Sequence, residues 1–217
     1  MARDDAHATV RRALLREKIH LKPGDPTRLT IPFEESPLGR SAWAPARALA
    51  NLLKPLPVEM LQWWLAQPTG HAVIGGRSSF YQPGPMEIKR RTLVNVVRVA
   101  PLDIMKNRAA VWSALGGLFD HLLGCGGNPH GLWLSEGGGV TSAWKDVGER
   151  VQEFFHLGYA PEEATRSPRA YFAWGFAMYL TRRRELNVID PLLERLLRTT
   201  VMDGRFWRRV TRDKRGG

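Results

Sequence analysis

The sequence predicts an α+β fold: a small mixed sheet packed on several helices, with an N-terminal helical arm. Three observations predict it. Apolar residues recur at three- and four-residue steps in several long stretches, Asn107 to Gly124 above all. Short runs rich in Val, Ile, Phe and Tyr cluster between positions 71 and 99. At 217 residues and 43% hydrophobic, the chain is long enough to bury one core. The expected layout is an N-terminal helix and extended connector over 1–45, one domain over 46–202, and a basic tail over 203–217.

Asp4 to Leu21 reads as a basic helix with Val10, Leu14, Leu15 and Ile19 as its apolar stripe. Pro and Gly punctuate Lys22 to Pro45 too often for a long element, although Arg28 to Ile31 has the look of a short strand. The stretch is an extended connector, or it lies in a groove, since Ile31, Phe33, Leu38 and Trp43 are costly to leave in water. Ala46 to Lys54 and Val58 to Gln67 are helical runs separated by Pro55 and Pro57. Strands are expected at His71 to Gly75, Ser78 to Tyr81, Met86 to Arg90 and Leu93 to Val99, with a turn at Gln82 to Pro85.

The central helix, Asn107 to Gly124, buries Val111, Leu115, Leu118, Phe119 and Leu122 on one face, with Gly124 as its stop. Gly116 and Gly117 sit mid-helix, where each costs about 1 kcal/mol relative to Ala. Close helix packing is one reason to keep them. Cys125 to Thr141 holds six glycines, a mobile or tightly turning loop that lacks the Gly-Lys-Ser/Thr of a phosphate loop. Thr141 or Ser142 caps a helix running to Leu157 and closed by Gly158. Ser167 caps another, with Pro168 at its first position and a cationic end at Arg182 to Arg184. A last short helix covers Asp190 to Leu197, and the basic tail after Asp203 is expected to be partly disordered.

Three stretches carry a family resemblance. GRSSFYQPGPMEIKR, SALGGLFDHLLG and SPRAYFAWGFAMYL follow one another in an order that resembles zincin metallopeptidases related to anthrax lethal factor and the Pro-Pro endopeptidases. Those enzymes carry a helical His-Glu-x-x-His in which two His bind zinc and the Glu activates water. Leu115, Gly116 and Asp120 resemble the frame that continues that motif, and Gly76 to Arg90 resembles the Tyr-x-Pro hairpin before it. The chemical positions depart from the pattern. Ser113 stands where the first His belongs, Ala114 where the Glu belongs, and Gly117 where the second His belongs. Ala170 replaces the third ligand and Trp174 a second Glu, while Tyr159 is either a relic of a transition-state tyrosine or an ordinary half-buried aromatic.

The resemblance, covering about residues 55–200, therefore implies a zincin-like domain without zinc chemistry: a pseudoenzyme that binds a protein or peptide and needs no cofactor. Trp174 is expected to fill the former metal site against Gly116 or Gly117. No other site is apparent. The six histidines include no i, i+4 pair with another His, and Asp120, His121, Cys125 and His130 lie close together without a ligand pattern. Ser113 lacks a nucleophile elbow, Cys125 has no assignable base, and Glu162 and Glu163 read as solvated loop charges.

A formal charge of +11 raises an alternative, a nucleic-acid or other polyanion partner. Arg outnumbers Lys 25 to 7, however, which codon usage of a GC-rich genome would also produce. One cysteine excludes an internal disulfide. Without a secretory apolar region or a run near the ~20 residues of a membrane span, a cytoplasmic protein with no membrane partner is expected.

Overall fold

Helix α1 (Ala2–Glu17) buries Val10 and Leu14, one turn apart, and turns Arg12 and Arg16 outward. The structure, a computed structural model, describes residues 2–22, 41, 43–88 and 90–213. The chain divides into two units, Met1–Ala114 and Leu115–Gly217.

In the first unit, α1 ends four residues sooner than its apolar repeat suggests. Ile19–Leu21 is strand β1, because Ile19 pairs with Ala72 and Leu21 with Ile74 in a parallel ladder. Lys18 at the junction is buried, its ammonium donating to the carbonyls of Gln67 and Thr69. The expected strand at Arg28 to Ile31, and most of the connector, lie outside the described residues. Trp43, expected to seek cover, is 51% exposed. Helices α2 (Ala44–Leu52) and α3 (Val58–Ala66) flank the Pro55 and Pro57 break and pack with α1. His7 Nε2 of α1 meets the Leu56 carbonyl at 2.9 Å, so the N-terminal helix is seated rather than a loose arm.

The sheet has the order β1-β2-β4-β3, with β2 (His71–Ile74), β3 (Phe80–Ile88) and β4 (Arg91–Val99). β2 runs parallel to β1 and β4, and β3 runs antiparallel to β4. Two short strands joined by a turn at Gln82 to Pro85 were expected; instead β3 is continuous through a bulge there. Pro83 and Pro85 have no N–H to give the ladder, and Gly84 at φ +86 absorbs the irregularity. Asn95, at φ +61, answers from β4 by accepting the Gly84 N–H at 3.0 Å, which explains the broken alternation of that strand. The reversal itself falls between Ile88 and Arg91. Ala72, Ile74, Val97 and Val99 on one face are fully buried. The other face carries the cluster of Val73, Leu93 and Val96, with Met86 and Ile88 only partly covered.

Helix α4 (Pro101–Lys106) follows directly, and α5 (Arg108–Cys125) contains the boundary between the units. One buried face was expected for α5. It is buried all round, since Trp112, Ala114, Asp120 and His121 are covered along with Leu115, Leu118 and Phe119. An apolar helix with no wet side carries little amphipathic signal. Gly124 lies inside it rather than at its stop, and Gly126, at φ +65, follows its last residue.

In the second unit, α6 (Ser142–Leu157) is capped by Thr141 and closed by left-handed Gly158, as its sequence signals require. Ser167 accepts the Ala170 N–H at the start of α7 (Pro168–Thr181). The Arg182 to Arg184 run does not merely end α7. The chain kinks at Arg182 and starts α8 (Arg183–Ile189), then α9 (Pro191–Thr199). Asp190, fully buried, caps α9 by accepting the Leu193 N–H at 2.9 Å and also accepts the Tyr171 hydroxyl at 2.6 Å. Asp190→Ala is expected to cost about 2–4 kcal/mol, since a cap is lost and a buried hydroxyl is stranded. Tyr171→Phe removes only one bond and should cost about 1 kcal/mol. Urea unfolding of both variants checks this, and equal losses would contradict the double role of Asp190.

The expected disordered tail is helical to Asp213. In α10 (Gly204–Asp213), Phe206, Trp207 and Val210 are buried, and Trp144 lies 4.9 Å from Trp207 between ring centres. Apolar residues at i, i+1 and i+4 give this arginine-rich helix an inner face, which its composition hides. Residues 214–217 lie outside the described residues.

Candidate functional site

The positions singled out by the resemblance fall on buried or bland surroundings. In the first unit, Ser113 is half-buried and Ala114 is covered. In the second, Gly116 and Gly117 are buried in α5, and a methyl group on Gly116 would sit 3.1 Å from both Ala173 Cα and Phe176 Cβ. The close approach at Gly116 is thus to Ala173 and Phe176. Trp174, expected there, is half-buried and stacks on Tyr171, with ring centres 6.3 Å apart. Ala170 lies in the first turn of α7, and Tyr159 is 54% exposed.

Asp120, His121 and Cys125 organise the glycine-rich loop from the end of α5. Asp120 accepts the Ser135 N–H and hydroxyl, both at 2.7 Å, inside the fully buried start of the short 3-10 turn Leu134–Glu136. Burial pushes its carboxyl up to about 7, against the pull of the Ser135 hydrogen bonds. His121 Nε2 meets the Asn128 carbonyl at 2.9 Å, and its ring stacks on Trp133 at 4.6 Å. On the same indole lies the Arg169 guanidinium, 4.1 Å from the ring centre, which also grips Glu136 at 2.7 and 3.0 Å. Burial opposes ionisation of Glu136, yet Arg169 and the Trp133 N–H hold its carboxyl below the usual range. The Cys125 thiol points at the carbonyls of His121 and Asn128, and burial raises its pKa. Such a thiol is a poor nucleophile. The loop expected to be mobile or tightly turning is tightly turned and stapled. Among the described residues, no three His, Cys, Asp or Glu side chains converge as a metal site.

The first unit holds the better-formed concavity. A groove of about 650 Å³ lies among Arg16, His20, Trp43, Ile88, Arg91 and Leu93, with Ile19, Leu21 and Arg90 completing its wall. Beside it, a second groove of about 290 Å³ is bounded by Val73, Met86, Ile88, Lys22 and Arg98, so that Ile88 is common to both. Met86 and Ile88, partly covered over the buried cluster of the sheet, form the apolar floor. These volumes are in the range of binding sites for ligands. His20 and His71, 51 positions apart, meet across β1 and β2 at 3.1 Å, Nε2 to Nδ1. Burial and the nearby Lys18 ammonium lower the His71 pKa to about 4; burial, Arg91 and Lys18 lower that of His20. At neutral pH the pair is therefore uncharged, one ring donating to the other.

Sequence reasoning missed this groove. Ile88 to Arg91 stands out only as a short basic run, and nothing local joins it to Arg16 or His20, more than 65 positions earlier. No helix among the described residues is long and apolar enough to cross a membrane. No protein-family model matches this chain, and no curated protein or solved structure matches it either.

Proposed function

We propose that the protein is a peptide-binding module, a metallopeptidase-like pseudoenzyme whose binding surface is the open face of its sheet. One observation carries this reading: two adjoining grooves meet at Ile88, which with Met86 is only partly covered where it packs on the buried Val73, Leu93 and Val96. An extended segment lying there would cover that floor with alternate side chains, as peptides do when they dock along strands. The zincin-like ancestry rests on the three matched segments alone. Its loss of chemistry is supported by the residues at the ligand and base positions: Ser113, Ala114, Gly117 and Ala170 offer neither imidazole nor carboxylate. Hydrolysis in zincins needs a metal that both activates water and polarises the carbonyl.

The test is selection of extended peptides from a displayed heptapeptide library on the full chain, followed by mass spectrometry of the bound sequences. Enriched peptides recovered uncleaved, and released by Ile88→Asp in a variant of unchanged circular dichroism, are the expected result. Absence of enrichment, or cleavage of the bound peptides, would overturn the reading. Elemental analysis after a mild chelator wash is expected to find substoichiometric zinc; one zinc per chain would contradict the pseudoenzyme.

A further inference from the structure

We infer that the partner of this groove is an acidic peptide segment carrying apolar anchors, an inference that rests on the peptide-binding reading above and adds its chemistry. The larger groove presents three guanidinium groups, Arg16, Arg90 and Arg91, and the His20 imidazole, around Ile19, Leu21, Ile88 and Leu93. Among the described residues no carboxylate lines it, and none of the three arginines forms an ion pair. The smaller groove adds Lys22 and Arg98. Among its described residues the only acid is Glu87, whose carboxylate already takes the Thr92 hydroxyl. Arg98 lies over the Phe80 ring at 5.5 Å, and its Nε is buried with no hydrogen-bond partner.

Charge complementarity thus selects the occupant. Guanidinium groups favour planar carboxylates, which they grip through paired N–H donors. A floor of Val73, Met86, Ile88 and Leu93 asks for apolar side chains between those carboxylates. Because Ile88 bounds both grooves, one extended chain can run along the two, placing acids at either end and an aliphatic or aromatic residue between. Trp43, half of whose surface is open at the rim, supplies an aromatic wall. A nucleic-acid strand would satisfy the arginines but has no side chains for the aliphatic floor, and bases prefer stacked aromatic platforms.

Fluorescence anisotropy with the full chain tests the inference. The probes are a fluorescein-labelled octapeptide of alternating Glu, Phe and Leu, its Gln counterpart, its Lys counterpart, and a labelled oligothymidine of eight residues. The acidic peptide is expected to bind at least about tenfold more tightly than the Gln peptide and to weaken as salt rises. The double variant Arg16→Glu/Arg91→Glu should lose the acidic peptide by a similar factor and gain the Lys peptide, a swap that a misfolded protein would not show. Equal binding of the Glu and Gln peptides would overturn the inference while leaving the peptide module standing. Binding of none of the peptides would overturn both. Preferential binding of oligothymidine, abolished by the same variant, would replace the acidic peptide with a nucleic acid.

Discussion

Asp120→Ala is expected to destabilise the protein by roughly 3 kcal/mol, because it strands the fully buried Ser135 N–H and hydroxyl. Asp120→Asn should cost far less, since an amide keeps the shape and can still accept the Ser135 N–H. The two variants also expose a pH dependence. The folded carboxyl titrates at about 7, above the unfolded value near 3.9, so the folded state holds its proton more tightly. The contribution is fully present below about pH 4 and lost as pH rises through 7, with a ceiling of roughly 4 kcal/mol. Relative to Asp120→Asn, the wild type should therefore lose stability between pH 5 and pH 8. Urea midpoints of both proteins at the two pH values check this, and a difference independent of pH would contradict a carboxyl penalised by burial.

Gly148→Ala is expected to cost about 3 kcal/mol or more, although alanine is the better helix former by about 1 kcal/mol. The reason is contact with backbone. A methyl group at Gly148 in α6 would lie 2.3 Å from the Gly138 carbonyl oxygen and 2.6 Å from that of Leu134. Gly124 in α5 meets the same loop from the other helix: a methyl group there would lie 2.2 Å from the Leu134 nitrogen. Neither neighbour is a flexible side-chain tip, so the loop itself must shift. Gly158→Ala supplies the control: that position has open space around it, and only its left-handed backbone opposes the change, at about 1 kcal/mol. Thermal unfolding of the two variants reads the order, and a stabilised Gly148→Ala would refute the close packing of the loop between the helices.

Both expectations concern the loop that glycine counting marked as mobile or tightly turning. Six glycines in seventeen residues say that the backbone needs freedom or space, and sequence cannot say which. The structure shows space: two helices approach the loop through bare backbone, and Asp120 and Glu136 tie its ends. Trp174 shows a second limit. Spacing along α7 places it on a helical face with Ala170, but which neighbour that face meets depends on packing; its ring stacks on Tyr171 of the same helix, while Ala173 and Phe176 make the close approach to Gly116.

The sequence by itself determined the α+β class, the capped helices α6 and α7, the Pro-broken pair α2 and α3, and the strands β2 and β4 within a few residues. Those follow from signals that act over one or two turns: a side-chain cap, a proline without an N–H, an apolar period. Only the tertiary structure decided that Ile19–Leu21 leaves a helical pattern to pair with β2, that β3 runs through Gln82 to Pro85 as a bulge, and that an arginine-rich tail folds as α10. It alone brought Arg16, His20 and Arg91 to one groove. Each of these outcomes is set by partners distant in the chain, whose hydrogen bonds and buried area outweigh a local preference of a fraction of a kcal/mol per residue.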